Sequence, residues 1–192
     1  DQTVGPGSAL TTAPVSAFGF LGDNPPRLAA GSSAAVAIDG LDARGASVIV
    51  IGRDGIPEGS ADGVGGVAVT GELTSEGGQV TLASVAAPGD VPLTGSGSVS
   101  LFDESGHPLL SKLGTIVISD QAIIDVSGNR GGTVVIRGGV LMVESASVLA
   151  ATLGDEDGAG IGIEVEMSEK IILMGKSKDG IDTDDESRIG FF

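Results

Sequence analysis

The most informative stretch of the chain is GGTVVI at residues 131–136, because a close copy, GGQVTL, stands at residues 77–82. Each copy places a Gly-Gly pair, which is typical of a turn, before a run of β-branched and aliphatic residues typical of a strand. A shorter copy begins at Gly65, and a looser one begins at Ala159. Repeated units of turn and strand predict an all-β protein.

A second pair of similar segments, SDQAII at residues 119–124 and ESASVL at residues 144–149, lies 25 positions apart. Many short strands, repeated at this spacing without helices between them, are typical of a solenoid. Parallel strands need long connections, which the coils of a β-helix supply. We therefore predict a parallel β-helix. The alternative is an antiparallel β-sandwich, because GRDG at residues 52–55 could form a hairpin turn.

Residues 161–167 alternate Ile, Val and Met with Gly and Glu, which is the period of a half-buried strand. In this strand and in its copy at residues 133–136, the alternating aliphatic side chains are expected to point into the core. Burial of one such side chain is worth about 1.5–3 kcal/mol. The residues predicted to be buried are Val134, Ile136, Ile163 and Val165.

Prolines divide the chain into regular and irregular parts. Residues 1–30 hold four of the eight prolines, which predicts an irregular N-terminal cap or loop segment. We assign residues 31–192 to the β-helix coils. A loop excursion is predicted at about residues 86–113, where three further prolines interrupt the strand pattern.

The balance of charge excludes several classes of partner. The 192 residues include 26 acidic and 10 basic ones, for a net charge of −16. Nucleic acids and anionic membrane surfaces are therefore not expected as partners, since both require a basic surface. Cysteine is absent, which excludes disulfides. No apolar run reaches the length of a transmembrane helix.

Several segments occur in an order that is itself informative. They are AFGFLG at 17–22, GGQVTLASV at 77–85, PGDVPL at 88–93, IIDVSG at 123–128, GGTVVIRGG at 131–139 and TLGDEDG at 152–158. In content and order, these segments resemble the filamentous-haemagglutinin-like exoproteins of two-partner secretion systems, especially the cyanobacterial type. The family's N-terminal secretion region, with its Asn-Pro motifs, is missing, and only DNPP at 23–26 is faintly similar.

This resemblance implies a secreted, right-handed parallel β-helix that is exported through an outer-membrane β-barrel partner. It places the chain outside a Gram-negative-type bacterium or on its outer surface. It also implies a structural or adhesive role, in surface attachment or in an extracellular fibre or matrix, with host or matrix glycans as candidate partners.

Residues that could support catalysis are few, and we predict that the chain is not an enzyme. His107 is the only histidine, and no nucleophile elbow accompanies it. One His without Cys also argues against a zinc site. The alternative is a carbohydrate-active β-helix enzyme that uses outward-facing carboxylates. Its candidates are Asp125, Glu144, Glu164 and Glu166.

Two acidic clusters, DEDG at 155–158 and DGIDTDDE at 179–186, could supply oxygen ligands for calcium. Their spacing does not match an EF-hand loop, so we interpret them as solvated turns and predict no cofactor. The calcium candidates are Asp155, Asp157, Asp182 and Asp184. If they bind, the chain would be a calcium-tuned surface-layer or matrix component, which is the third functional hypothesis.

Exposed backbone at the two ends of a β-helix favours head-to-tail self-association. The net charge of −16 opposes such stacking, so salt is expected to promote it. Large apolar side chains occur near both ends of the sequence. The candidates for self-association are Phe18, Phe20, Ile189, Phe191 and Phe192.

Overall fold

The computed structural model describes residues 16–20, 22–93 and 98–175. This part of the chain is all-β, as predicted, and contains thirteen strands and no helix. It therefore holds no helix that is long and apolar enough to cross a bilayer. The strands are β1 Ala17–Phe20, β2 Arg27–Leu28, β3 Ala34–Asp42, β4 Val48–Arg53, β5 Ile56–Pro57, β6 Gly65–Thr74, β7 Gln79–Val85, β8 Gly89–Pro92, β9 Thr115–Ile118, β10 Ile123–Asp125, β11 Thr133–Glu144, β12 Ser147–Leu149 and β13 Ile163–Met174.

Nine of these strands form one sheet, and every pairing between them is parallel. Adjacent parallel strands cannot be joined by a hairpin, because the chain must first return to the starting end. The alternative of an antiparallel β-sandwich is therefore wrong for this sheet. Its members are β3, β4, β6, β7, β9, β10, β11, β12 and β13.

The strands of this sheet fall into three sets whose members lie in register. Neighbours within a set are 24 to 32 residues apart, or 49 to 54 apart where residues 86–113 intervene. We call one such interval a repeat. The central rows are Val36, Val67, Ile116, Leu141 and Ile171 in the first set; Leu41, Leu73, Ile124 and Val148 in the second; and Val50, Leu82, Ile136 and Val165 in the third.

Both repeats seen in the sequence are pairs of adjacent strands. GGQVTL and GGTVVI lie side by side, since Gln79 pairs with Thr133. SDQAII and ESASVL also lie side by side, although Ile123 pairs with Ser147, so the offset there is 24 residues and not 25. These two pairs of copies therefore correspond to structural repeats, whereas the shorter copy at Gly65 begins β6 in the first set and not the third.

The central rows of the three sets meet in an inner core. Val67, Leu73 and Leu82, from three different sets, are all completely buried. Side chains alternate between the two faces along a strand. The residues directly before and after each central-row residue in the sequence therefore point outward. The inner core consists of Ile38, Val67, Val69, Leu73, Val80, Leu82, Ile116, Ile118, Ala122, Ile124, Val126, Val134, Ile136 and Leu141.

Burial decreases at the last strand of the stack. Val134 and Ile136 on β11 are buried, as predicted. On β13, Ile163 is only half-buried and Val165 is 39% exposed, so the prediction of burial is wrong for Val165. Val165 is exposed because β13 pairs with β11 but with no other strand in the described part of the chain, so its other edge is not covered by a strand there.

The described residues of the predicted excursion, 86–93 and 98–113, pack against the outward face of the third set and form a second, outer core. Here Leu101 and Val91 cover β7, whose residues 80–85 are all buried. Because β7 is covered on both faces, even its polar residues Thr81 and Ser84 are completely buried. The outer core consists of Ala83, Val85, Val91, Val99, Leu101, Phe102 and Leu113.

The described part of the predicted N-terminal segment lies beside this excursion. β1 pairs antiparallel with β8, and β2 pairs parallel with β5. The buried Arg53 joins the two regions, since its Nη1 donates to the carbonyl of Gly22 at 2.8 Å and its Nε donates to the carbonyl of Ala86 at 3.3 Å. The N-terminal segment is thus held on the sheet at the point where the excursion begins.

Candidate functional site

A groove of about 530 Å³ runs along the turns that precede the third set of strands. Each repeat contributes turn backbone to this turn groove, and its polar or charged side chains come from Ser47, Gln79, Arg130, Thr133 and Asp157. Gln79 Nε2 donates to Thr81 Oγ1 at 3.1 Å, and Thr133 Oγ1 donates to the carbonyl of Ile161 at 2.8 Å. The turn groove therefore presents polar groups at regular intervals along the stack.

Glycine lines the turn groove because the turns of successive repeats approach each other closely. A Cβ atom at Gly78 would lie 2.8 Å from the carbonyl oxygens of both Gly45 and Ala46, which is too close for any side chain. The Gly-Gly pair noted in the sequence is thus required by packing. The same packing leaves the floor of the groove as bare backbone.

Arg130 is the one cation among the residues that line the turn groove. Its Nε lies 3.2 Å from the carbonyl of Asp157 and 3.6 Å from Glu156 Oε2. The Arg130 side chain is 67% exposed, so this ion pair is worth no more than about 1 kcal/mol. Backbone amides, a hydroxyl, a carboxamide and a guanidinium together suit hydrogen bonding to an extended polar polymer.

Of the calcium candidates in the first acidic cluster, Asp157 lines this turn groove and Asp155 lies two residues before it. Asp155 and Asp157 are exposed. In the described part of the chain, no group of three or more acidic, His or Cys side chains could hold a metal ion. Asp182 and Asp184 lie outside the described residues. Calcium binding stays a hypothesis.

His107 lies at the exposed tip of the excursion, with 76% of its side chain accessible. Asp103 Oδ1 accepts hydrogen bonds from the backbone amides of His107 at 2.9 Å and Ser105 at 2.8 Å. The bond from the His107 amide is the main cause that lowers the pKa of Asp103 below its usual value. These bonds close the turn at the tip of the excursion, and the absence of catalysis stays a prediction.

Two of the four carboxylates proposed for catalysis lie together. Glu164 Oε1 and Glu166 Oε2 contact the same guanidinium, Arg137, at 2.5 and 3.3 Å respectively. Arg137 also donates to the carbonyl of Val99, which lies in the excursion. Sequence reasoning missed Arg137, although it lies four residues beyond the start of β11, opposite Glu166 in the register.

We call Arg137, Glu164 and Glu166 the Arg137 cluster. A guanidinium stays protonated in proteins, so Arg137 can bind an anion or a carboxylate but cannot accept a proton. Its side chain is 16% exposed, and the two glutamates are each 37% exposed. The Arg137 cluster thus fastens the excursion to β11 and β13 and leaves one surplus negative charge at the surface.

The other two carboxylates lie elsewhere. Asp125 Oδ1 accepts the amide of Ser127 at 2.7 Å and so caps the turn that follows β10. Glu144 is exposed at the end of β11. Neither residue joins the Arg137 cluster.

Asp54 is a further residue that sequence reasoning missed. Its Oδ1 accepts the backbone amides of Gly66 at 2.7 Å and Thr115 at 2.9 Å, and the hydroxyl of Ser84 at 3.2 Å. Burial raises the pKa of this carboxyl above its usual value, although these hydrogen bonds act in the opposite direction. The only signal in the sequence is its place in the GRDG turn.

The self-association candidates are divided between described and undescribed residues. Phe18 is 39% exposed on β1, whereas Phe20 packs against the outer core. Ile189, Phe191 and Phe192 lie outside the described residues. Self-association through these residues stays a prediction.

No family model matches this chain, and neither a curated protein nor a solved structure matches it.

Proposed function

We propose that the chain is a segment of a secreted, right-handed parallel β-helix with a structural or adhesive role. The observation that supports this proposal is the set of three strand registers, which recur at 24 to 32 residues within one parallel sheet. A chain that returns to the same three positions at this interval winds as a coil with three walls. The right-handed sense follows from the preference of about 98% for right-handed crossovers between parallel strands.

An adhesive role fits the regular surface of such a coil. Neighbouring strands stack about 4.8 Å apart, so the polar groups of the turn groove recur at this spacing. Ser47, Gln79 and Thr133 could hydrogen-bond successive units of an extended polymer. We therefore propose host or matrix glycans as the partners of the turn groove.

Secretion is the part of the proposal that depends most on the family resemblance. Segments 123–128 and 131–139, which carry much of that resemblance, fall on β10 and β11 of the stacked sheet. The net charge of −16 favours solubility outside the cell. We propose export through an outer-membrane β-barrel to the surface of a Gram-negative-type bacterium, or beyond it.

The adhesive role can be tested with the purified chain on an array of bacterial and host glycans. We expect saturable binding that weakens about 30-fold in the double variant Gln79→Ala/Thr133→Ala, because each change removes a hydrogen-bonding group worth about 1 kcal/mol. The matched control is Thr74→Ala/Ser147→Ala, which alters the outward face of the second set. Binding to no glycan, or equal loss in both variants, would contradict the proposal.

The second candidate function is a carbohydrate-active enzyme, which the proximity of Glu164 and Glu166 favours. One observation argues against an enzyme. Both carboxylates contact the guanidinium of Arg137, which also donates to Val99 in the excursion, so these contacts have a structural role. Incubation with a panel of polysaccharides separates the two functions. We expect no release of reducing ends, whereas cleavage that is lost in Glu164→Gln or Glu166→Gln would establish the enzyme.

A further inference from the structure

Among the described residues, β13 is the outermost strand at one end of the stack, and there it pairs with β11 only. The bond from the Val134 amide to the carbonyl of Gly162, 2.8 Å long, fixes which backbone groups face β11. In a parallel ladder, residues whose groups face one neighbour alternate with residues whose groups face away. The amides and carbonyls of Ile163, Val165 and Met167 therefore point away from β11.

Apolar side chains collect at the same end of the stack. Val165 lies in the same row as Leu82 and Ile136. No more than 1% of either of those residues is exposed, whereas Val165 is 39% exposed. One more strand in register would bury Val165 as the flanking strands β7 and β13 bury Ile136. Six of the ten exposed large apolar side chains of the described chain lie at this end: Leu149, Leu153, Ile161, Val165, Ile171 and Met174.

The charge at this end determines which kind of strand could fill that place. Residues 144–175 carry seven acidic residues and one Lys, a net charge of −6. Within the sheet, Glu166 is matched in register by a basic residue, Arg137. A second copy of the chain, with its net charge of −16, would be repelled. A segment that carries Lys or Arg at its outward positions would be attracted.

We propose that residues 163–167 of β13 bind an extended basic segment of a partner protein, which adds to the sheet as a strand. Its apolar residues cover Val165 and its neighbours, and its alternating Lys or Arg residues lie beside the acidic outward row. Main-chain hydrogen bonds supply affinity in such strand addition, and alternate side chains supply specificity. This partner is additional to the glycans proposed above, and binding at β13 does not depend on an adhesive role.

The proposal can be tested with short fluorescent peptides and the full chain. We expect a peptide that alternates Lys and Val to bind saturably, and a peptide that alternates Glu and Val to bind at least about ten-fold more weakly. Added salt should weaken binding of the Lys peptide, because it screens the attraction. Equal affinity for the two peptides would overturn the proposal.

Two variants locate the binding edge. Val165→Pro removes an amide that faces away from β11 and leaves the amides of Glu164 and Glu166 in place, and edge strands tolerate proline. We expect it to weaken binding of the Lys peptide about ten-fold, with the melting temperature showing that the variant is folded. Glu169 is exposed on β13, two residues beyond the proposed edge, so Glu169→Lys should also weaken binding. Glu72→Lys, which makes the same change of charge at an exposed position of β6, should not. Unchanged binding in folded Val165→Pro, or equal loss in the two Lys variants, would contradict the proposed edge.

Hydrogen exchange in the free chain shows whether the chain itself or a second copy of it already covers the edge of β13. We expect the amides of Val165 and Met167 to exchange fast and those of Glu164 and Glu166 slowly, with the peptide protecting the first pair. Protection of Val165 and Met167 without peptide at every protein concentration would mean that the chain itself covers the edge. Protection that appears only at high protein concentration would mean that a second copy covers it. Either result would overturn the proposal.

Discussion

Among single residues, Asp54 joins more of the fold than any other side chain discussed above. One oxygen of its carboxyl accepts donors from the start of β6, the end of β7 and the start of β9. β7 and β9 flank the excursion, so Asp54 fixes where the chain leaves the stack and where it returns. A small, half-buried carboxyl thus controls the path of a long segment.

Replacing Asp54 separates the hydrogen bonds from the charge. Asp54→Ala leaves the amides of Gly66 and Thr115 without their acceptor, at about 1–3 kcal/mol for each. We expect a loss of about 2–5 kcal/mol in the free energy of unfolding, measured in urea. Asp54→Asn keeps a carbonyl oxygen in place, and we expect a loss of less than about 1 kcal/mol. Similar losses in the two variants would show that the hydrogen bonds matter little.

The raised pKa of Asp54 gives this residue a definite pH dependence. Because burial raises the folded-state pKa above the ordinary value of 3.8, the folded chain holds the proton more tightly than the unfolded chain does. The contribution of Asp54 to stability is therefore greatest below the ordinary value and falls as the pH rises through the folded-state pKa. We expect the stability of the wild type, relative to Asp54→Asn, to decline over this range. The reverse trend in urea unfolding would mean that the hydrogen bonds outweigh burial.

At the scale of elements, the excursion is a packed part of the molecule, and a matched pair of leucines tests this. Leu101 is completely buried in the outer core, whereas Leu109 is 46% exposed near the tip. We expect Leu101→Ala to lower the free energy of unfolding by about 2–5 kcal/mol. Leu109→Ala should cost less than about 1 kcal/mol, because most of its side chain is already in water. Equal costs in thermal or urea unfolding would contradict the outer core.

The elements also show how far the sequence predicts the fold. The aliphatic runs of β4, β7 and β11 predict strands, and the Gly-Gly repeat predicts which of them are adjacent. β3 escapes prediction because its sequence, AAVAIDGLD, is rich in Ala, Asp and Gly, which are depleted in strands. Local pattern also cannot show which strand is outermost, so it fails for Val165.

The candidate sites are harder to predict than the strands, because they join residues that are distant in the sequence. Arg137 and Val99 are 38 residues apart, and Asp54 and Thr115 are 61 residues apart. The docking of the excursion brings Val99 to Arg137, and the pairing of β9 with β6 brings Thr115 to Asp54. The turn groove is the exception, since its Gly-Gly pairs belong to the repeat that predicts the fold.

At the scale of the whole molecule, the net charge of −16 suggests calcium as a ligand, yet geometry argues against a strong site. In the described residues, Asp155 and Asp157 belong to no group of three potential ligands. We expect millimolar calcium to raise the melting temperature by less than about 2 °C, since stabilisation by mass action requires a site that is occupied. A shift of many degrees that is abolished in Asp155→Asn/Asp157→Asn would support the calcium-tuned hypothesis.

The winding of the chain into a coil is the central claim, and the absence of cysteine allows it to be tested by cross-linking. Val117 and Met142 are paired in register on adjacent strands of the first set, and Ala68 pairs with Val117 on the other side. In-register neighbours lie about 4.8 Å apart, and residues two strands apart lie about 9.6 Å apart. The measurement is the yield of bridging by a short reagent that fluoresces only when it joins two thiols. The coil predicts a high yield for Val117→Cys/Met142→Cys and a low yield for Ala68→Cys/Met142→Cys, and equal yields in the folded variants would contradict it.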